Sequence, residues 1–352
     1  MLHITAHPYS LQFKRPAATS RGFLQTKAVV FLRATDTVRP DIVGWGECGP
    51  LPGLSVDDRP DFLAQVTHVC ALLNRGQPVE AIDLSALPSL VFGLETAQRD
   101  LSTGGQQRLF DTPFSRGETS LATHGLIWMD TPANVLQQIE HKLAQGFRVI
   151  KLKVGALSLA DECAILATIR QRYPADEVTL RLDANGAFTP ENALENLQRL
   201  AEFDIHFLEQ PIRAGQHQAM AAICAASPIP IALDEELIGV SQSAARRALL
   251  ETIRPQHLIV KPALLGGLAI SEQWIRLAES LDSAWWINSM LESNVGLNAL
   301  CQWTSTLDNQ RIHGLGTGQL FTNNIPAPLR LDGPLLSIDP TSQWDLTAIG
   351  QP

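Results

Sequence analysis

Five charged residues each end a short apolar run of the sequence, in the order Lys, Asp, Glu, Asp and Lys. They are Lys153, Asp183, Glu209, Asp234 and Lys261, and the steps between them are 30, 26, 25 and 27 residues. Three carboxylates are hard oxygen ligands of the kind that Mg²⁺ prefers. A lysine near other cations and a metal ion is expected to have a lowered pKa and to act as a base near neutral pH. The set therefore indicates proton abstraction next to a carboxylate, with a divalent cation holding the resulting enediolate.

The spacing of these residues predicts the elements that position them, since each step is the length of one strand, one helix and two loops. Apolar strand candidates centre near residues 126, 150, 180, 207, 231, 259, 286 and 313. Eight such units predict an α/β fold with a TIM-like (β/α)8-type barrel, whose active site lies at the carboxyl ends of the strands. Lys151 and Lys153 are two residues apart on one strand, so both are expected to point to the same face. Lys261 comes four strands later and is expected across the barrel mouth.

The two ends of the chain do not follow this rhythm. Strand candidates at 2–13, 26–33 and 44–50, followed by helical patterns at 61–73 and 91–101, predict an α+β capping domain. We assign residues 1–118 to this cap and residues 119–321 to the barrel with the active site. Residues 322–352, which include Pro326, Pro328, Pro334 and Pro340, break the rhythm and are expected to return to the cap.

Composition restricts the class of partner and the compartment. The formal net charge is -9 and the basic residues are scattered, which argues against a nucleic-acid partner. No stretch approaches the roughly 20 apolar residues that span a bilayer, so no membrane partner is expected. The start lacks the pattern of a signal peptide and the five cysteines are widely spaced, which favours the cytoplasm. Nothing in the sequence indicates the oligomeric state.

The charged strand ends and the residues around them resemble a known family. The segments are Lys151-Leu152-Lys153, Asp183-Ala184-Asn185-Gly186, Glu209-Gln210-Pro211, Asp234-Glu235 and Lys261-Pro262. Together they resemble the muconate-lactonizing enzyme subgroup of the enolase superfamily, and the resemblance covers the whole chain. A lysine base and a Mg²⁺-stabilised enediolate are general features of that superfamily.

The resemblance implies roles for individual residues. Asp183, Glu209 and Asp234 would be the ligands of Mg²⁺, with Mn²⁺ as an alternative metal. Lys153 would be the acid/base lysine, Lys151 its electrostatic support and Lys261 the opposing lysine. Asn185 and Glu235 would lie directly behind the metal ligands.

The predicted seventh strand leads into Asn288-Ser289-Met290-Leu291-Glu292-Ser293-Asn294-Val295-Gly296, and the eighth into His313-Gly314-Leu315-Gly316-Thr317-Gly318-Gln319-Leu320-Phe321. Both segments are similar to those of the o-succinylbenzoate synthases, which are dehydratases of menaquinone synthesis. The similarity implies a small anionic carboxylate substrate held by hydroxyl and N–H groups. The residues implied are Ser289, Glu292, Ser293, Gly316 and Thr317, with Arg21 in a loop that covers the substrate. The implied reaction is dehydration of 2-succinyl-6-hydroxy-2,4-cyclohexadiene-1-carboxylate to o-succinylbenzoate.

Two alternatives stay open. N-succinylamino acid racemisation, or another racemase or cycloisomerase reaction of the subgroup, needs the same base and the same metal. A non-catalytic barrel used as a binding protein would not require three carboxylates and two opposed lysines, so it is the more distant alternative. Dipeptide epimerisation is disfavoured because Gly316 and Gly318 stand where those enzymes have an Asp-x-Asp pair. The histidines near the barrel strands, including His124, His206 and His257, are predicted to be structural.

Overall fold

The computed structural model describes residues 2–19, 22–128, 130–307 and 310–350. Its N-terminal part is an antiparallel sheet in the order β1-β2-β3, followed by two helices. The elements are β1 (Leu2–Thr19), β2 (Gly22–Asp36), β3 (Val43–Cys48), α1 (Phe62–Asn74) and α2 (Pro88–Ser102). The first two strands are longer than their apolar runs predict, because backbone pairing continues from Leu2 with Asp36 to Thr19 with Gly22.

Glycines in β3 explain how closely the sheet and α2 pack. A Cβ atom on Gly46 would lie 2.0 Å from the carbonyl oxygen of Gly93 in α2. A Cβ atom on Gly44 would lie 2.2 Å from the carbonyl oxygen of Ala97, one turn further along the helix. Only glycine therefore permits this approach of helix and strand.

The middle of the chain alternates strands and helices. The strands are β4 (Leu121–Ala122), β5 (Gly125–Ile127), β6 (Val149–Lys153), β7 (Thr179–Asp183), β8 (Ile205–Glu209), β9 (Ile231–Leu233), β10 (His257–Val260) and β11 (Ala284–Ile287). The helices are α3 (Pro132–Ala144), α4 (Leu159–Arg172), α5 (Ala193–Ala201), α6 (His217–Ala226), α7 (Ser243–Ile253), α8 (Pro262–Leu265), α9 (Gly267–Ser280) and α10 (Asn294–Thr304). Strands β5 to β11 form one parallel sheet in chain order.

Two residues join the edges of this sheet. His313 bridges to Thr123, and Gly314 bridges to Asn288, in both cases in the parallel sense. A Cβ atom on Gly314 would lie 2.3 Å from Oδ1 of Asn288, so a larger residue here would have to displace the Asn288 side chain. The strand predicted near residue 313 is therefore a short bridge rather than a regular strand, and the architecture is an α/β barrel.

Side chains along each barrel strand point alternately outward, into the hydrophobic core between strands and helices, and inward, into the polar interior of the barrel. On β7, Leu180 and Leu182 pack into the main hydrophobic core, which also contains residues from the surrounding helices. Arg181 and Asp183 alternate with them and point to the opposite face. The strand sequence therefore puts its charged residues inside the barrel.

The C-terminal segment contacts both parts of the molecule. Strands β12 (Leu329–Asp332) and β13 (Leu335–Ile338) form a small sheet with β4 in the order β12-β13-β4. Further on, Ile349 packs in a cluster with Leu11, Phe31 and Trp45 of the N-terminal sheet. The domain limits at residues 118 and 321 stay predictions. None of the helices in the described ranges is long and apolar enough to cross a lipid bilayer.

Candidate active site

The strand register brings the charged strand ends side by side. Lys153 pairs with Asp183 across β6 and β7, and Asp183 pairs with Glu209 across β7 and β8. Asp234 directly follows β9 and Lys261 directly follows β10. Because these strands are parallel neighbours, all five residues lie at the carboxyl edge of the barrel. The strand-end positions predicted from the apolar runs are confirmed.

Lys151 lies among the buried charges. Its Nζ is 2.9 Å from Oδ2 of Asp183 and 2.6 Å from Oε2 of Glu209. Lys153 contacts the same Asp183 oxygen at 2.9 Å. Both lysines therefore point to one face of β6, as their spacing of two residues predicts.

Lys153 and Lys261 contact different carboxylates. Besides Asp183, Lys153 donates from Nζ to Oδ1 of Asn185 at 2.5 Å. Lys261 donates to Oδ2 of Asp234. Asn185 in turn donates from Nδ2 to Oε1 of Glu235 at 3.0 Å. A chain of hydrogen bonds therefore links Lys153 through Asn185 to Glu235.

The pKa values of the neighbouring carboxylates Asp183 and Glu209 shift in opposite directions. Burial alone would raise the pKa of Asp183, but the charges of Lys151 and Lys153 outweigh it and hold this pKa well below its usual range. Burial and the charge of Asp183 raise the pKa of Glu209 to about 8, against the opposing effect of Lys151. Burial and a neighbouring negative charge both disfavour the ionised form of a carboxyl group.

The carboxylates that contact Lys151 and Lys261 raise the pKa of both lysines, while the lowered pKa expected for a lysine beside a metal ion stays a prediction. Burial lowers the pKa of Lys151, but the charges of Asp183 and Glu209 outweigh it, so the pKa is raised. Burial of Lys261 is likewise outweighed, by Asp234 and Glu209, and its pKa is also raised. The sequence argument weighed the neighbouring cations but not the carboxylates that directly contact the same amines.

The carboxylate oxygens of Asp183, Glu209 and Asp234 are the type of ligand that a hard divalent cation prefers. In the described ranges no group of three or more His, Cys, Asp or Glu side chains is arranged to hold a metal ion as it stands. The Lys151 amine contacts both Asp183 and Glu209. However, Oε1 of Glu209 and Oε2 of Glu235 are buried without a hydrogen-bond partner among the described residues. Unpaired buried carboxylate oxygens are the groups that a cation would satisfy.

The charged residues line a cavity of about 340 Å³. Its charged lining consists of Lys142, Lys151, Lys153, Asp183, Asp234, Glu235 and Lys261. Apolar residues cover other parts, among them Leu51 and Leu54 from the loop after β3 and Trp128 after β5. An apolar cavity with a few convergent charged groups suits a small organic acid.

A sequence model described as enolase C-terminal domain-like matches residues 134–337. The chain belongs to this family. Membership in the enolase superfamily explains why the lysines and carboxylates occupy the ends of successive barrel strands, and it makes the chain an enzyme rather than a non-catalytic barrel.

Two relatives resemble the chain over nearly its whole length, and a third resembles about half of it. An o-succinylbenzoate synthase, a lyase, from Desulfotalea psychrophila is 42% identical over 362 residues, which cover 93% of this chain and 96% of the relative. The crystal structure of MenC from the same organism has a TM-score of 0.83 at 39% identity, and covers 96% of this chain and 99% of that one. An N-succinylamino acid racemase from Thermus thermophilus is 36% identical over 163 residues, 46% of this chain and 42% of the relative.

Three of the residues predicted to contact substrate line the cavity of this enolase-superfamily member. They are Ser289, Gly316 and Thr317. Oγ of Ser289 lies 2.5 Å from Oγ1 of Thr317, so the loops after the last two strand positions meet at the cavity wall. Arg21 lies outside the described residues.

Glu292 and Ser293 lie behind that wall and do not line the cavity in the described structure. Glu292 is 3% exposed, and its Oε2 accepts from Oγ of Ser289 at 2.5 Å and from the Met290 N–H at 2.8 Å. Ser293 is fully buried and donates from Oγ to Oε2 of Glu47 at 2.5 Å. Both side chains make contacts that support the loop, and the substrate contact predicted for them stays a prediction. From the sequence alone, a hydroxyl or carboxylate after a strand end can equally well contact a substrate or support the loop.

Gln210 has a supporting role that its sequence position did not reveal. It directly follows Glu209, is fully buried and has a positive φ of 43°. Its Oε1 accepts from the backbone N–H of Asp234 at 3.2 Å, and its Nε2 donates to Oε2 of Glu236 at 3.1 Å. Gln210 therefore fixes the backbone of the next strand end. The sequence signal for this role was its position in the segment Glu209-Gln210-Pro211, which resembles the enolase superfamily.

His124 lines the cavity, although it was predicted to be structural. It is 7% exposed, and burial together with the charge of Arg181 lowers its pKa well below the usual value. A neutral imidazole therefore forms part of the wall beside Gly314. Its position just before the short β5 strand was the only sequence signal of this placement.

Proposed function

We propose that the protein is an o-succinylbenzoate synthase, which dehydrates 2-succinyl-6-hydroxy-2,4-cyclohexadiene-1-carboxylate to o-succinylbenzoate in menaquinone synthesis. The observation that carries the proposal is a cavity lined by both Lys153 and Lys261, in a chain 42% identical over nearly its full length to a synthase of this kind. The cavity also offers hydroxyls at Ser289 and Thr317 to an anionic substrate.

Lys153 acts as the base and then as the acid. Its amine removes the proton alpha to the ring carboxylate, and the resulting ammonium donates that proton to the departing hydroxide, so that water leaves. One residue performs both steps because both groups leave from one face of the ring. The hydrogen bond to Asn185 and the ion pair with Asp183 fix the position of the Lys153 amine.

Lys261 faces the substrate from another strand of the barrel. It is held by Asp234, and its positive charge stabilises the anionic intermediate from the opposite face of the ring. Lys151 contacts Asp183 and Glu209 and compensates their charge.

Asp183, Glu209 and Asp234 would hold Mg²⁺, with Mn²⁺ as an alternative. When bound, the ion supplies positive charge that neutralises the substrate carboxylate and the enediolate. Glu235 and Asn185, which are hydrogen-bonded to each other, support this set from behind.

A second candidate function is racemisation of N-succinylamino acids. It is favoured by the two lysines on different strands of one cavity, which would exchange the α-proton from opposite faces, and by the partial similarity to a racemase. In this reaction Lys261 would be a second acid/base rather than a fixed charge.

The experiment that separates the two candidates compares both substrates on one purified sample with Mg²⁺. We expect dehydration, followed by ultraviolet absorbance, to have a kcat/KM at least about 100-fold above racemisation, followed by exchange of the α-proton in D2O. A higher kcat/KM for the N-succinylamino acid would overturn the dehydratase proposal and support the racemase.

A further inference from the structure

A buried lysine outside the charged cluster contacts the backbone of a cavity wall. Lys27 lies on β2 and is fully buried. Its Nζ donates to the carbonyl oxygens of Met290 at 2.9 Å and Leu291 at 3.0 Å. A lysine is almost never fully buried unless its charge is compensated, so this placement calls for a physical reason.

The two carbonyls belong to the loop that follows β11, where Ser289, Met290 and Leu291 line the cavity. Leu291 has a positive φ of 60°, a left-handed conformation that is unfavourable for a residue with a branched side chain. A strained residue persists only where its surroundings hold it. The Lys27 ammonium holds both peptide groups on which the Leu291 conformation depends.

Other groups hold the same loop from its remaining sides. Oε2 of Glu292 accepts from the Met290 N–H and from Oγ of Ser289. Glu47 on β3 accepts from the N–H groups of Ser293 and Gly296, each at 2.9 Å. The loop is therefore fixed by an ammonium that binds its carbonyls and by carboxylates that bind its N–H groups.

Nearby carboxylates partly compensate the charge of Lys27. Burial lowers the pKa of Lys27, and the opposing charges of Glu47, Glu292 and Asp57 offset this only in part, so the pKa is lowered. Burial raises the pKa of Glu47, and the charge of Lys27 opposes this. The buried cation therefore has compensating charges on the N-terminal sheet and on the loop itself.

We propose that Lys27 is a positioning residue for substrate binding. It fixes the Met290–Leu291 backbone in the conformation that shapes the cavity wall, without itself lining the cavity. Loss of its ammonium would leave two buried carbonyls unpaired and let Leu291 leave the left-handed region. The wall would then fit the bound organic acid less well, while Lys153 and Lys261, on other strands, would keep their positions. This inference rests on the proposed function only for the choice of substrate.

The test replaces the ammonium by an apolar group of similar length. We expect Lys27→Met to raise KM about tenfold and to change kcat less than about threefold. We also expect faster hydrogen exchange at the amides of residues 289–296 than in the wild type. The matched control is Lys14→Met, the same substitution at an exposed position on β1, which should leave KM and exchange unchanged.

Several results would overturn the proposal. One is a folded Lys27→Met variant with unchanged KM and exchange. Another is a variant whose kcat falls together with its thermal stability while KM stays the same, since that pattern belongs to a purely structural lysine. If Lys27→Met does not fold, Lys27→Gln, which retains a neutral N–H donor, is measured in the same way and judged by the same criteria.

A double-mutant cycle tests the role of the strained residue. In a Leu291→Gly background the positive φ carries little cost, so Lys27→Met should raise KM less than it does in the wild type. An equal rise in KM in both backgrounds would show that Lys27 does not act through the Leu291 conformation. Hydrogen exchange is measured without turnover, so it tests the positioning role separately from the proposed function. A wild type without dehydratase activity would overturn the proposed function. Faster exchange in Lys27→Met would still support the positioning role of Lys27.

Discussion

At the scale of single residues, the three lysines of the site differ in accessibility and in their contacts. The side chain of Lys151 is 6% exposed, while those of Lys153 and Lys261 are 15% and 14% exposed. Lys151 contacts two carboxylates at once, and each of the other two contacts one. We infer that Lys151 compensates charge and that Lys153 and Lys261 reach the substrate.

Substitutions of Lys261 distinguish a fixed charge from a second acid/base. Lys261→Ala should lower kcat for dehydration by about 10² to 10⁴, because the anionic intermediate loses a cation. Lys261→Arg keeps the charge and should retain a larger share of kcat, since arginine stays protonated. Steady-state kinetics on the cyclohexadiene substrate measure both. An alanine variant with near-normal turnover would reduce Lys261 to a spectator.

At the scale of elements, the sequence predicted strands best where an apolar run ends on a charge. Strands β6, β7 and β8 end at Lys153, Asp183 and Glu209, as the apolar runs predict. The region near residue 313 was the exception, because its pairing consists of two isolated bridges that depend on a close approach of Gly314 to Asn288. Such an approach between distant segments has no periodic signal.

Two histidines inside the barrel make stability depend on pH. The rings of His206 on β8 and His257 on β10 pack on Trp286, with centroids 5.5 and 4.8 Å from its ring. Burial, with a further contribution from Arg181, lowers the pKa of both histidines to about 4, from the ordinary value of 6.5. Between these pH values the unfolded chain binds more protons than the folded one. The free energy of unfolding should therefore fall as pH decreases from about 6.5 to about 4.

Urea denaturation at pH 7 and pH 5 measures this effect. The variant carrying both His206→Gln and His257→Gln should lose less stability between the two pH values than the wild type, because it lacks the two protonation sites. Equal losses in the two proteins would show that other groups cause the pH dependence.

At the scale of the whole molecule, contacts between distant parts of the chain were the least predictable feature. Lys27 and Leu291 are 264 residues apart, and Glu47 and Ser293 are 246 residues apart. Each looks unremarkable in its own segment, so local patterns could not show that they meet. The charged strand ends could be predicted because one regular fold places all of them at the same edge. Their protonation could not, because it depends on which amine touches which carboxylate.

Binding of Mg²⁺ should stabilise the whole protein. Buried carboxylates that repel one another oppose folding, and a cation bound only by the folded state adds about 2.7 kcal/mol at about 100 times its Kd. The thermal unfolding midpoint should therefore rise by several degrees with Mg²⁺. The control is NaCl at the same ionic strength, and Asp234→Asn should show a much smaller rise. An undiminished rise in that variant would place the ion elsewhere.

The most direct test of the account is ultraviolet detection of o-succinylbenzoate formed from the cyclohexadiene substrate by the wild type, Lys153→Ala and Lys153→Arg. Each protein is assayed with Mg²⁺ and with EDTA. We expect metal-dependent conversion by the wild type and a loss of about 10³-fold or more in both variants, because arginine keeps the charge beside Asp183 but cannot accept the proton. Substantial turnover by either folded variant would contradict the assignment of Lys153 as the base, and a wild type that converts no substrate would contradict the dehydratase itself.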